Sequence, residues 1–178
     1  MESAPTPLHP VFEKLLGTWK GTNKVYFGPD QPPVDTADIT GEMKLVSGGR
    51  LLEFSYTTTF KGKSIDGKLT ISYDEKFKEY MMTWVDSFHN HDRILHLSSG
   101  RGASLSDISA SGEYPADASV NWGWRIEVLP QVPCEARGPS QLCSKCDALK
   151  LTECGGENGL VVIHYNVPPG VEGIPGVY

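Results

Sequence analysis

Asp86 is the residue of this chain best placed to do acid–base chemistry. Tyr80, Met82, Trp84, Asp86 and Phe88 fall on one side of an alternating run, so in a β-strand they share a face. A carboxylate among aromatic rings is desolvated. That raises its pKa and equips it to act as a general acid or base, or to anchor the polar end of a ligand. Its other possible place is the strand's end, solvated or capping the turn into Ser87-Phe88-His89. Tyr56, on the inner face of an earlier strand, and His89, just past Asp86, are the further candidates for moving a proton. Phe54, Met82, Trp84, Phe88, Trp122, Trp124 and Arg125 complete the expected ligand-contacting set. Arg125 is included although alternation groups it with Asn121, Gly123 and Glu127, opposite Trp124. An aromatic lining with a few convergent polar atoms would orient a guest; the same aromatics can also simply fill a core.

Other chemistry-bearing residues point less clearly to a site. His89-Asn90-His91-Asp92, with His96 beyond, has metal-ligand residue types, but an exposed polar turn suits that spacing better than a ligand set. Cys134, Cys143, Cys146 and Cys154 form C-x8-C-x2-C-x7-C. The Cys143–Cys146 knuckle has zinc-like spacing, Lys145 can lower a neighbouring thiol pKa, and free thiols lead over zinc and disulfides. A Ser/His/Asp triad cannot be assembled, and neither a phosphate-cradling glycine loop nor a dinucleotide motif is present. No metal and no cofactor are therefore expected.

The elements that must position these residues read as strands. After an amphipathic stretch from Val11 to Leu16, Gly17 lets the chain turn into a strand whose Trp19 plugs a closed end. Period-two alternation then recurs, broken by turn residues every eight to twelve positions. It predicts strands at Trp19–Phe27, around Ile39–Leu45, Leu52–Phe60 and Ile65–Tyr73, and one carrying Tyr80 to Phe88. Further strands follow at Arg93–Ser99, Leu105–Glu113, Trp122–Val128, around Leu149–Leu151, and Leu160–Val167. About ten antiparallel strands behind one short helix make an all-β, closed or nearly closed up-and-down barrel, because closure removes exposed edges. The 178 residues suit one domain, with residues 1–10 a flexible start, 131–146 an inserted loop and 168–178 a Pro/Gly-rich tail. A net charge of −6 argues against nucleic acid, and no run of 18 apolar residues exists to span a membrane. The opening residues lack a secretory pattern, so a cytoplasmic, reducing setting is expected.

Several motifs in order resemble a family of small bacterial barrels known only as a domain of unknown function. They are Phe12 to Gly21, Gly28 to Pro33, Gly48-Gly49-Arg50-Leu51-Leu52, Gly62-Lys63 with Asp66-Gly67, Ile71 to Asp74, and Thr83 to Ser87. The resemblance implies a ten-stranded calycin-type barrel, distantly similar to lipocalins, fatty-acid-binding proteins and the haem-binding nitrobindins, and it implies no reaction. In the nitrobindin branch the last strand carries the proximal haem ligand, here the place of His164; alternation groups His164 with Asn166, opposite the more apolar Val161, Ile163 and Tyr165. Three readings follow. The leading one is a barrel, monomeric or homodimeric, that binds a small hydrophobic or aromatic molecule. The second is a cofactor-independent cyclase or isomerase of a hydrophobic intermediate, with Asp86 as acid or base. The third is nitrobindin-like haem binding.

Overall fold

The computed structural model describes residues 9–25, 32–89, 92–115, 121–130, 149–156 and 159–166, with side chains over 9–25, 32–89, 92–113 and 123–128. Eight strands run up and down: β1 (Gly17–Val25), β2 (Asp35–Val46), β3 (Leu51–Phe60), β4 (Lys63–Asp74), β5 (Glu79–Asp86), β6 (Leu95–Ser98), β7 (Ile108–Pro115) and β8 (Asn121–Pro130). Each is antiparallel to the next, and together they form a half-barrel. The alternation seen in the sequence is what curls it: Ile39 and Met43, Leu52 and Phe54, Leu69 and Ile71, Met82 and Trp84, Ile126 and Val128 all turn inward and are buried.

Two further extended segments, Leu149–Gly156 and Gly159–Asn166, depart from the expected up-and-down order. Gly159–Asn166 pairs with β8, and Leu149–Gly156 pairs with Gly159–Asn166. Leu160-Val161-Val162-Ile163 is the more apolar and β-branched of the two segments and takes the inner place. The proposed insertion with Cys134, Cys143 and Cys146, the tail 168–178 and residues 1–8 lie outside the described residues, as do the side chains of Cys154, Trp122 and His164.

One end of the half-barrel is plugged. The expected N-terminal helix is a single 3-10 turn, Phe12–Leu15, because so short an apolar stretch before a glycine cannot nucleate an α-helix. Gly17 then takes φ 119°, a conformation that strains any residue with a Cβ. Phe12, Leu15 and Trp19 are all buried, and the Trp19 indole donates to the Leu15 carbonyl at 2.9 Å.

His9 completes this plug. Its ring stacks on Phe12 at 4.2 Å and meets Tyr73 edge-on at 5.1 Å. Its Nε2 lies 3.4 Å from the Tyr80 hydroxyl, which donates to the Leu105 carbonyl at 2.7 Å. Burial lowers the His9 pKa below its ordinary 6.5, partly offset by Glu75, while burial pushes the Tyr80 phenol far up. The unfolded chain therefore takes up a proton at pH values where folded His9 resists it. His9 costs stability as pH falls below 6.5. His9→Phe should lose less melting temperature than the wild type when both are scanned between pH 7 and pH 5; equal losses would remove His9 from the acid response.

Candidate functional site

The opposite end carries the candidate site. Here β1 ends, β2 begins, β3 turns into β4, and β5 runs out at Asp86. Tyr80, Met82, Trp84 and Asp86 are all buried, between more exposed neighbours, which is the inner face the alternation predicts. The strand stops at Asp86, two residues before the sequence pattern suggests, and Ser87–His89 bend. Phe88 still packs inward, by the bend and not by strand parity, with its ring 5.3 Å from Phe60.

The Asp86 carboxylate makes that bend. Its side chain is 0% exposed. One oxygen accepts from the Phe88 amide at 3.0 Å and the His89 amide at 2.5 Å, and the other faces His89 Nδ1 at 2.5 Å. This is an aspartate satisfying the backbone just ahead of it, a common way to build a tight turn. Burial alone pushes its pKa up, but the hydrogen bond and charge of the His89 ring and the two amides outweigh burial and hold it low. The expected raised pKa is thus corrected. Asp86 is a carboxylate that orients its neighbour, not a neutral acid.

His89 is the titratable side chain set against this carboxylate. The carboxylate at Nδ1 fixes which nitrogen of the ring faces Asp86 and which, Nε2, is turned from it. The side chain is 13% exposed, so the turn exists but is not the open polar turn the sequence suggests. The ring is caged by Trp84 at 5.5 Å, Phe88 at 4.9 Å and Trp124 at 5.6 Å. Trp84 and Trp124 meet edge to face at 5.0 Å. An oriented imidazole walled by aromatic rings can accept a hydrogen bond from a guest or take a proton from it.

Tyr56 reaches this cage through Trp84, whose indole donates to the Tyr56 hydroxyl at 3.1 Å. Register explains the reach: Trp19, Gly41, Tyr56, Gly67 and Asp86 form one row across β1 to β5. The Tyr56 ring lies flat over Gly67, where a Cβ would sit 2.1 Å from the ring's Cζ. Only a glycine leaves that space.

Phe54 and Met82 sit deeper than the cage. Phe54 packs on Trp19 at 5.7 Å, and Met82 is opposite Ile71 and Leu97, so both belong to the core. Arg125 is corrected to the outer face: it alternates with buried Trp124 and pairs through Nε with Glu127 at 2.7 Å. His96 also faces outward on β6. Among the described residues no cluster of three or more His, Cys, Asp or Glu could hold a metal ion.

Two further inward-facing residues toward this end were not among the expected site residues. Phe60 stood on the predicted inner face of β3 but outside the site. Asn23 shares the parity of Trp19 and Val25, and that parity alone would place it inside. An open groove of about 650 Å³ on β2 to β5 is lined by Thr40, Glu42, Ser55, Thr57, Asp66 and Lys68 together with Tyr56 and Asp86 of the site. Its polar residues other than these two belong to the sheet's outer face.

Residues 4–128 match the family described as "Protein of unknown function (DUF1579)". The chain belongs to this family. The DUF1579 span covers β1 to β7 and most of β8, so Tyr56, Trp84, Asp86, His89 and Trp124 all lie within it. No curated protein matches the chain. Among the described residues no helix is long and apolar enough to cross a membrane.

Proposed function

We propose that this chain holds a small hydrophobic or aromatic molecule at the unplugged end of a calycin-like cup, with His89 as its polar contact. The observation that carries this is the His89 ring, oriented by a buried carboxylate and enclosed by Trp84, Phe88 and Trp124. A structural aspartate needs only the backbone amides of the turn. Setting a histidine in an aromatic cage does more than the turn requires. The approach of the Leu149–Gly156 backbone to β1 supports closure of the half-barrel into a ten-stranded, lipocalin-like cup. Such a barrel is wide enough for one small ligand.

Catalysis is the second reading, and the Asp86–His89 pair favours it. In a cyclase or isomerase working without a cofactor, His89, one of the expected candidates, would move the proton, and Asp86 would hold it in place instead of acting as the acid or base. The test is titration with 2-naphthol, followed by quenching of tryptophan fluorescence. Saturable quenching is expected, with affinity falling roughly tenfold in His89→Ala as one hydrogen bond and part of the cage are lost. Linear, unsaturable quenching in the wild type would sink the reading.

A further inference from the structure

Three polar residues are buried among the described ones: Asn23, Thr58 and Asp86. Two of them are accounted for. The Thr58 hydroxyl donates to the Asp38 carbonyl at 2.9 Å, and Asp86 is held by the His89 turn. Asn23 is different: it is 4% exposed, and its Oδ1 has no hydrogen-bond partner among the described residues. An unpaired amide oxygen away from water costs on the order of 1–3 kcal/mol, and an apolar residue at this place would avoid that cost.

Its position gives the orphaned oxygen a use. Asn23 is two inward positions beyond Trp19, the plug residue, and so lies toward the unplugged end of β1, where Val25 pairs with Asp35. His89 follows β5, four strands away along the curl. The two therefore stand on separate walls toward one end of the half-barrel, one carrying an imidazole and the other a buried amide.

We infer that Asn23 is a second ligand-binding residue, and that the molecule carries hydrogen-bond donors at two ends, one for His89 and one for Asn23. This rests on the cup reading proposed above and narrows it. The guest class is an aromatic or alicyclic molecule with two hydroxyl or N–H groups, not a hydrocarbon or a single-headed lipid. A site built around a buried acceptor discriminates against analogues that lack the donor, because the acceptor is then left unpaired.

Two probes separate the possibilities: 2,6-dihydroxynaphthalene and its monomethyl ether, 6-methoxy-2-naphthol. Both offer one hydroxyl to His89, and only the first offers a second donor. Wild-type protein should bind the diol roughly fivefold to tenfold more tightly. Asn23→Leu, which keeps the branched shape, should erase that ratio while leaving the ether's affinity nearly unchanged. His89→Ala should weaken both and preserve the ratio. Ligand-free Asn23→Leu should melt no lower than the wild type, since it removes the unpaired atom. Asn23→Ala gives the same ratio test should leucine not be accommodated. A wild-type ratio near one, or one that survives both Asn23 variants, would overturn the inference and leave the cup reading standing. Lower melting temperatures in both variants with an unchanged ratio would assign the amide to the fold instead. If neither probe binds at all, the cup reading falls and this inference with it.

Discussion

Asp86→Ala should destabilise the protein by about 3 kcal/mol, read from urea unfolding, and lower its melting temperature by roughly 6–12 °C. The reason is the number of donors left behind. Two backbone amides and the His89 ring nitrogen converge on a carboxylate with no exposure, and bonds to an ionised acceptor are about twice as strong as neutral ones. Alanine strands all three donors in a turn packed between Trp84 and Phe88. Asp86→Asn keeps one acceptor oxygen without the charge and should cost about half as much. The pH dependence has a definite sign. The folded pKa lies below the ordinary 3.8, so this stabilisation is fully present above that value and is lost as pH falls through the lower folded one. Wild type and Asp86→Asn should therefore converge in stability at acid pH. Binding of 2-naphthol should weaken in both variants, because His89 loses the partner that fixes its ring. A loss below about 0.5 kcal/mol in Asp86→Ala, the range of an ordinary surface change, would mean the turn stands without the carboxylate.

Gly67→Ala should be the other large loss, about 2–3 kcal/mol from overpacking. Its sign is diagnostic. In a strand interior without close neighbours, alanine is favoured over glycine by roughly 0.5–1 kcal/mol. Here the new methyl would meet the Tyr56 ring at 2.1–2.4 Å, so the ring must leave, and the Trp84 indole loses its 3.1 Å acceptor. Tyrosine emptied from its place also uncovers Phe54, on which it stacks at 5.4 Å. A double variant separates this clash from any general weakening of β4. Tyr56→Ala removes the ring, so adding Gly67→Ala to it should cost nothing further, a strong departure from additivity. Gly67→Ala as stable as the wild type would show that Tyr56 can move aside freely, and the Tyr56–Trp84 link would then hold nothing in place.

Much of the inner face was legible because burial in a strand follows a local rule. Side chains alternate with period two, so Phe54, Thr58, Phe60, Tyr80, Met82, Trp84 and Asp86 could be placed on one surface from β3 and β5 alone. The same rule sets Arg125 against buried Trp124, on the outer face where it pairs with Glu127. It also places Asn23 inside, a position passed over because a buried amide gives no signal until its partners can be counted. The plug was legible too, through Gly17 and Trp19, although only as one 3-10 turn.

What alternation cannot carry is anything that depends on two segments meeting. The Asp86 pKa turned on donors, not on burial, and those donors exist only because the chain bends at Ser87 and folds His89 back onto the carboxylate. The partnership of Tyr56 with Gly67 and Trp84 depends on cross-strand register, which shifts every pairing if it slips by one residue. The order of the last two extended segments depended on which of them paired better with β8, a competition between distant pieces of chain. The sequence by itself determined a strand-rich chain with an aromatic inner face, since each residue's parity and apolarity are its own. Tertiary structure alone decided that Asp86 would hold the His89 ring and the turn amides, because hydrogen-bond partners are set by which atoms end up near one another.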